Sequence, residues 1–303
     1  MTAGKVVERA GGVPDPVPGV VPGRRVVLRG LLRDRTAMIG IVIVSSFVLA
    51  AVLAPLLAPH DPNAVDVLRK FAPPSAKFPL GTDHLGRDVL SRLLYGARLS
   101  IGTAVVATFG VSLLGLFLGM LAGYLGGLVD TVISRVVDVL LAFPSFLLAL
   151  AVTGILGPGL GNLMLAVVAV SWAGYARIVR GSVLAEREKP YVEAARATGS
   201  SGWRILWRHL LRNIVGPVVV LTTLDMGAML LGISALSFLG LGVKPPTSEW
   251  GAMLSEGRNY LGQAPSMMLF PGAAIFLIAL GFNLFGDGLR DVLDPRTRRS
   301  VGP

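Results

Sequence analysis

Six stretches of the chain stay apolar long enough to cross a hydrocarbon core, a distance that takes about 20 helical residues. They fall at 37–58, 100–124, 132–156, 161–180, 214–240 and 267–289. Inside a bilayer only the segment itself can satisfy backbone N–H and C=O groups, so each stretch is expected to be a helix. The pattern therefore predicts an all-α polytopic membrane protein with six transmembrane helices. It divides into a basic tail expected to be disordered over 1–36, a first span at 37–58 and a loop at 59–98. A five-span core follows at 99–290, with a long polar loop at 181–213, and a short tail closes the chain at 291–303.

Composition agrees with the pattern. Of 303 residues, 53% are hydrophobic and 15% charged, and mean hydropathy is +0.68. Soluble domains carry about 25% charged residues, so this chain has too few charges to cover a soluble globule. The net charge of +10 and pI near 10.6 raise the question of nucleic acid. The basic residues, however, punctuate apolar runs and build no continuous basic domain, so nucleic acid is not an expected partner.

Charge placement sets an expected orientation. Counting the ends and alternate loops as cytoplasmic puts 20 Lys and Arg inside, against 8 in the loops at 59–98 and 241–265. By the positive-inside rule both termini are expected in the cytoplasm. Arg87, Arg92 and Arg98 lie close to the second span, so their stretch is expected to lie along the membrane surface, partly balanced by Asp83 and Asp88.

Cysteine is absent, which removes disulfides, thiolate metal sites and cysteine nucleophiles. His60, His84 and His209 are scattered and suggest no metal cluster. The only Gly-Lys pair is Gly4-Lys5, followed by Val6, so no phosphate-cradling loop is present and the chain is not expected to hydrolyse ATP itself. No cofactor is expected in this chain.

Four glycines, Gly115, Gly119, Gly123 and Gly127, recur every fourth residue and would give one helical face a smooth stripe for close packing against a neighbouring helix. Pro144 interrupts the third apolar stretch and is expected to kink it, with a role in gating as one reading. Asp138 and Asp225 are carboxylates within apolar stretches, where a charge costs several kcal/mol and faces a cavity or a partner. An aspartyl-type enzyme would need both on one water, and their spacing does not require that. They are read as structural or pathway-lining, with Arg135 one turn away as a partner for Asp138.

The long polar loop carries the most information. Pro190 suits a first helical turn, Glu193 favours its positive end, and Ala194, Ala195 and Ala197 are strong helix formers. Gly199 can take a left-handed C-cap, and Ser200 or Ser201 can cap a following helix. The expected product is a compact knob with small side chains, suited to a partner's groove. Arg204, Arg208 and Arg212 then recur every fourth residue, the mark of an amphipathic helix meeting lipid phosphate.

Glu193-Ala194-Ala195, with Gly199 four residues on and Ile205-Leu206 beyond, resembles the EAA loop of ABC-importer permeases. The stretches at 79–92, 236–243, 245–251 and 283–296 resemble, more narrowly, the DppC/OppC-type permease subunit of dipeptide, oligopeptide and nickel importers. The similarity spans residues 30–296. It implies a type I importer fold in which a second, homologous permease chain completes the pathway. It further implies two ATP-binding subunits, or one fused ATPase chain, which bind ATP and Mg and receive the knob (Tyr191, Glu193, Ala194, Ala195, Gly199). Asp138, Pro144 and Asp225 become pathway or gating candidates. An extracytoplasmic binding protein would deliver cargo, with Pro245, Pro246 and Trp250 as its expected contact, and a peptide is the default cargo. One departure stands out: Arg212 occupies a position where the family usually has Pro, which would let the interfacial helix continue into the fifth span.

Overall fold

The computed structural model describes residues 24–293, and among them every regular element is helical, apart from a lone bridge between Thr82 and Asp88. Five helices are long and apolar enough to cross a membrane. These are α2 (Arg35–Val52), α4 (Val89–Leu125), α7 (Leu160–Arg187), α10 (Leu211–Phe238, extended at its start) and α12 (Ser266–Leu293). A bent pair, α5 (Gly127–Leu141) and α6 (Ser145–Leu156), makes a sixth crossing if counted as one. The shorter helices are α1 (Arg24–Arg33), α3 (Ala54–Leu57), α8 (Pro190–Ala197), α9 (Gly202–Arg204) and α11 (Trp250–Gly257).

Two sequence expectations change. The tail expected to be disordered through residue 36 is helical from Arg24, as α1, and residues 1–23 lie outside the described residues. Asp34 separates α1 from α2 by accepting the N–H groups of Thr36 and Ala37 at 2.7 and 3.2 Å, which caps the new helix. The third apolar stretch does not merely kink. It breaks by 92° at Ala142–Pro144, because proline removes a helical donor and drives the preceding residue out of the helical region. In the loop before α4, Arg87 and Arg92 are buried within the chain, and Asp88 caps α4 by accepting from the Ser91 N–H at 2.8 Å.

At 37 residues, α4 is about 55 Å long and outruns a hydrocarbon core of about 30 Å. Its largest packing partner is α7, and the glycine stripe explains the fit. A Cβ on Gly115 would sit 2.3 Å from Tyr175 Cβ, and one on Gly119 would sit 2.6 Å from the Ala176 carbonyl oxygen. Gly123 faces Val183 in the same way. The stripe thus serves packing within the chain. Gly127 is not part of it: it opens α5 with nothing near its Cβ position.

On the other side, α12 packs against both α2 and α10, and α10 also meets α4. Ile101, Leu230, Ile275, Ile278 and Phe282 share one core there. A second core joins α4 and α7 to α8 and the start of α10 through Met120, Val179, Val192, Ile205 and Leu210.

The helix that ends at Phe238 runs unbroken from Gly202. It passes through one π turn at Ile205–Leu210 on the way. Arg212, at the position where the resemblance leads one to expect proline, lies within this continuous helix, as does Pro217.

Candidate functional site

The knob forms as its residues dictate. Pro190 opens α8 and Glu193 lies in its first turn. Gly199 takes φ +80°, the left-handed conformation that costs glycine least. Its N–H donates to the Arg196 carbonyl at 3.0 Å and the Ser200 N–H to the Ala195 carbonyl at 3.0 Å, the paired bonds of a Schellman C-cap. Ser201 then caps α9 through the Arg204 N–H. Glu193, Ala194, Ala197 and Gly199 are exposed, whereas Ala195 and Val192 turn inward onto Ile205 and Leu206. A Cβ at Gly199 would meet nothing within 4 Å.

Two hydrogen bonds fasten this knob to the bundle. The Tyr191 hydroxyl donates to Glu186 Oε2 at 2.8 Å, on α7, and accepts from Asn213 Nδ2 at 2.9 Å, on α10. Burial, and then the bond to Glu186, push the Tyr191 phenol up to about 12. Tyr191 is thus less a surface contact than the pin between the knob and two long helices. Asn213 was missed in the sequence reading, although a lone amide where a polar loop enters an apolar run is a visible signal.

The same two helices line a cavity of about 520 Å³, with walls completed by α4 to α6. Most of its lining is apolar. Asp225 of α10 is the one charged residue in that lining among the described residues, and it stands beside Tyr175 of α7. Leu140, Leu141, Ser145 and Phe146, which flank the break at Pro144, form another wall. Asp138 is elsewhere, with Arg177 Nη2 donating to its carboxylate at 3.1 Å. The partner expected at Arg135 is replaced because Arg177 reaches across from α7. A neighbouring pair, Arg180 to Asp130, again joins α7 to α5, with Nη2 to Oδ2 at 2.7 Å. The two acidic residues therefore do not converge, which disposes of a paired-carboxylate active site.

At the opposite end of α4 lies a buried ionic cluster. Arg87 donates to Asp83 and to Glu256, each at 2.6 Å, and Arg92 donates to the same two carboxylates at 2.6 and 2.7 Å. Burial pushes the Asp83 carboxyl up, but the two guanidinium groups and the backbone N–H groups of Arg87 and Leu85 outweigh it and hold it below its ordinary value. His84 stacks on Tyr260 at 5.1 Å, and burial pushes its imidazole down. Asp83, His84 and Glu256 bring donor atoms within 4.8 Å of one another. Two arginines already balance the two carboxylates, so this donor set does not favour a metal cation. The cluster is a clamp between the 58–88 loop and α11.

Trp250, expected beside Pro245 and Pro246 as an external contact, is fully buried. Its Nε1 donates to the Leu93 carbonyl at 3.0 Å, and its ring meets Phe47 edge-on at 5.9 Å. The neighbouring Glu249 is also buried and caps α11 by accepting the Gly251 and Ala252 N–H groups at 2.9 and 2.8 Å. Pro245 and Pro246 remain exposed. Much of the 245–251 motif thus exists to fold the loop.

The described residues thus form a polytopic helical bundle with a capped knob and a cavity walled by α4 to α7 and α10. Residues 115–299 match the family of binding-protein-dependent transport system inner membrane components. Residues 24–74 match the N-terminal TM domain of oligopeptide transport permease C. The chain belongs to this permease family. It is 43% identical over 274 residues to a dipeptide transport system permease protein of Alkalihalophilus pseudofirmus, covering 90% of each chain. It is 45% identical over 255 residues to a probable D,D-dipeptide transport system permease protein of Escherichia coli K12, covering 84% of this chain and 86% of that one. A nickel transport system permease protein of the same organism is 41% identical over 257 residues, 85% and 93% of the two chains.

Proposed function

We propose that this chain is one half of the translocation pathway of an ATP-driven peptide importer, with the residue 190–199 knob as its coupling element. The observation that carries this reading is the knob itself. Its exposed face sets the small residues Ala194, Ala197 and Gly199 beside Glu193 and Arg196, its end is closed by Gly199, and Tyr191 pins it to both α7 and α10. Force applied to the knob reaches the two helices that hold Tyr175 and Asp225 in the cavity.

In this reading both termini and the knob are cytoplasmic, a placement supported by the Lys and Arg bias. A homologous second permease closes the cavity. Two ATP-binding subunits, or one fused ATPase chain, bind ATP and Mg and seat the knob in a groove, so that their closure rocks α7 and α10. This chain performs no catalysis. An extracytoplasmic binding protein docks near Pro245 and Pro246, while Arg204, Arg208 and Arg212 lie against lipid phosphate. The relatives named for dipeptide and D,D-dipeptide transport favour a peptide as cargo.

The test is co-purification from gently solubilised native membranes. The reading expects a second permease and one or two ATPases, with ATP hydrolysis stimulated by a binding protein. A chain that purifies alone and transports cargo without ATP would contradict it.

A further inference from the structure

Of the two acidic residues at membrane depth, Asp138 has a cationic partner in Arg177 and Asp225 has none among the described residues. A carboxylate held in an apolar wall without a cation is costly, and such a residue is kept where a charged ligand passes. Beside it stands the Tyr175 hydroxyl, near enough to Asp225 and Thr222 to interact with both. Tyr175 is 3% exposed, and its hydroxyl is buried without a hydrogen-bond partner of normal geometry. Both groups line the 520 Å³ cavity, from facing helices, and its volume falls in the range of about 300–1,000 Å³ that small ligands occupy. Val170, Gly174, Met229 and Gly232 form part of the apolar or bare wall around them.

We propose that Asp225, with the Tyr175 hydroxyl at its side, is a transit site for the ammonium group of the cargo, and this rests on the importer reading above. The chemistry selects that class of ligand. One carboxylate and one phenol offer far too few oxygens for a hard divalent cation, which takes six or more. An organic monocation matches better: its charged head meets Asp225, and its body lies on the apolar wall. A peptide with a free N-terminus has this form. A single charge contact also suits passage, since a pathway site must release what it attracts. The Tyr175 hydroxyl keeps the carboxylate from being wholly bare between cargo molecules. The knob is pinned to the helices that carry both groups, so its movement would separate or reset them.

The experiment uses the whole complex in proteoliposomes, with L-alanyl-L-alanine as the probe and the binding protein present in saturating amount. Wild-type uptake must be ATP-dependent; its absence would refute the importer reading rather than this site. Given that uptake, Asp225→Asn should lower it by at least about tenfold, the scale on which removing a desolvated charge contact acts. Binding-protein-stimulated ATP hydrolysis and co-purification of the second permease should stay within twofold, while Asp225→Glu restores at least half of the uptake. Asn keeps the size and one acceptor oxygen for the Tyr175 hydroxyl, so a role in packing alone would leave uptake intact. Unchanged uptake in Asp225→Asn would overturn the proposal. Loss of the second permease from the complex would also overturn it, and so would recovery when a Lys or Arg of that permease is neutralised.

Discussion

Asn213 donates to the Tyr191 hydroxyl at 2.9 Å, and this single bond joins the knob to the head of α10. Because the same hydroxyl donates to Glu186 on α7, replacing it by hydrogen unfastens both helices at once. Tyr191→Phe should remove both bonds, at about 1–3 kcal/mol in all, while Glu186 keeps Lys189 and Asn213 keeps the His209 carbonyl. Peptide carried per ATP hydrolysed should fall several-fold, while the amount of assembled complex falls little; uptake and hydrolysis measured together check this. The phenol's raised value adds a pH signature. The neutral form is the stabilised one, so the contribution is whole below about pH 10, the ordinary tyrosine value, and is lost as pH rises through about 12. Hydrogen exchange of residues 190–199 should be flat through neutral pH and, after correction for the intrinsic rate, increase only in that alkaline window.

Gly199 offers a different test, because nothing in this chain lies within 4 Å of its Cβ position. Gly199→Trp should therefore insert and fold, at a backbone cost of about 1–2 kcal/mol for a left-handed residue. Its ring would fill space that a docked ATPase subunit requires, so uptake should be lost. Full ATP-driven uptake by this variant would refute the coupling role.

The ionic clamp at the start of α4 predicts acid sensitivity. The Asp83 carboxyl is held low, so its contribution is intact above its ordinary value of about 4 and disappears as pH falls through the lowered one. Asp83→Asn leaves Arg87 and Arg92 buried with half their counter-charge, a change that costs about 3–5 kcal/mol. The thermal midpoint of the purified complex should drop markedly in this variant at pH 7, and its acid-dependent decline should shrink.

Asp138 tests the rejected enzyme reading. Its pair with Arg177 is more than half exposed on this chain. Such a pair is worth up to about 1 kcal/mol, so Asp138→Asn should leave uptake within about fivefold of wild type. Complete loss of activity would reopen the paired-carboxylate reading.

Much of this was legible in the sequence, for reasons that differ from residue to residue. The knob could be read because its signals are local: Pro190 at one end, Gly199 at the other, and helix-forming alanines between. The glycines at 115, 119 and 123 announced close packing by spacing alone, whereas naming α7 as the partner required the tertiary fold. Pro144 marked an interruption, but whether a proline kinks or breaks a helix depends on what its neighbours pack against. Trp250 was assigned to an outer contact along with its loop, on the resemblance; the Phe47 ring and Leu93 carbonyl that bury it are some 150 residues and more away in sequence. The Asp83–Arg87–Arg92–Glu256 clamp had the same obstacle, since Glu256 joins it from 164 residues beyond Arg92. Asp225 was visible as a charge in an apolar run, and Tyr175 beside it was not singled out.

The chain's lack of cysteine allows the central claim to be tested at one atom. A single cysteine in place of the exposed Ala194, carrying a photo-activatable cross-linker, samples whatever covers the knob in the assembled complex. The account predicts efficient cross-linking to an ATP-binding subunit, and none from a cysteine placed at the exposed Pro246. Cross-links from residue 194 to lipid alone, in a complex that still imports peptide at the expense of ATP, would contradict it.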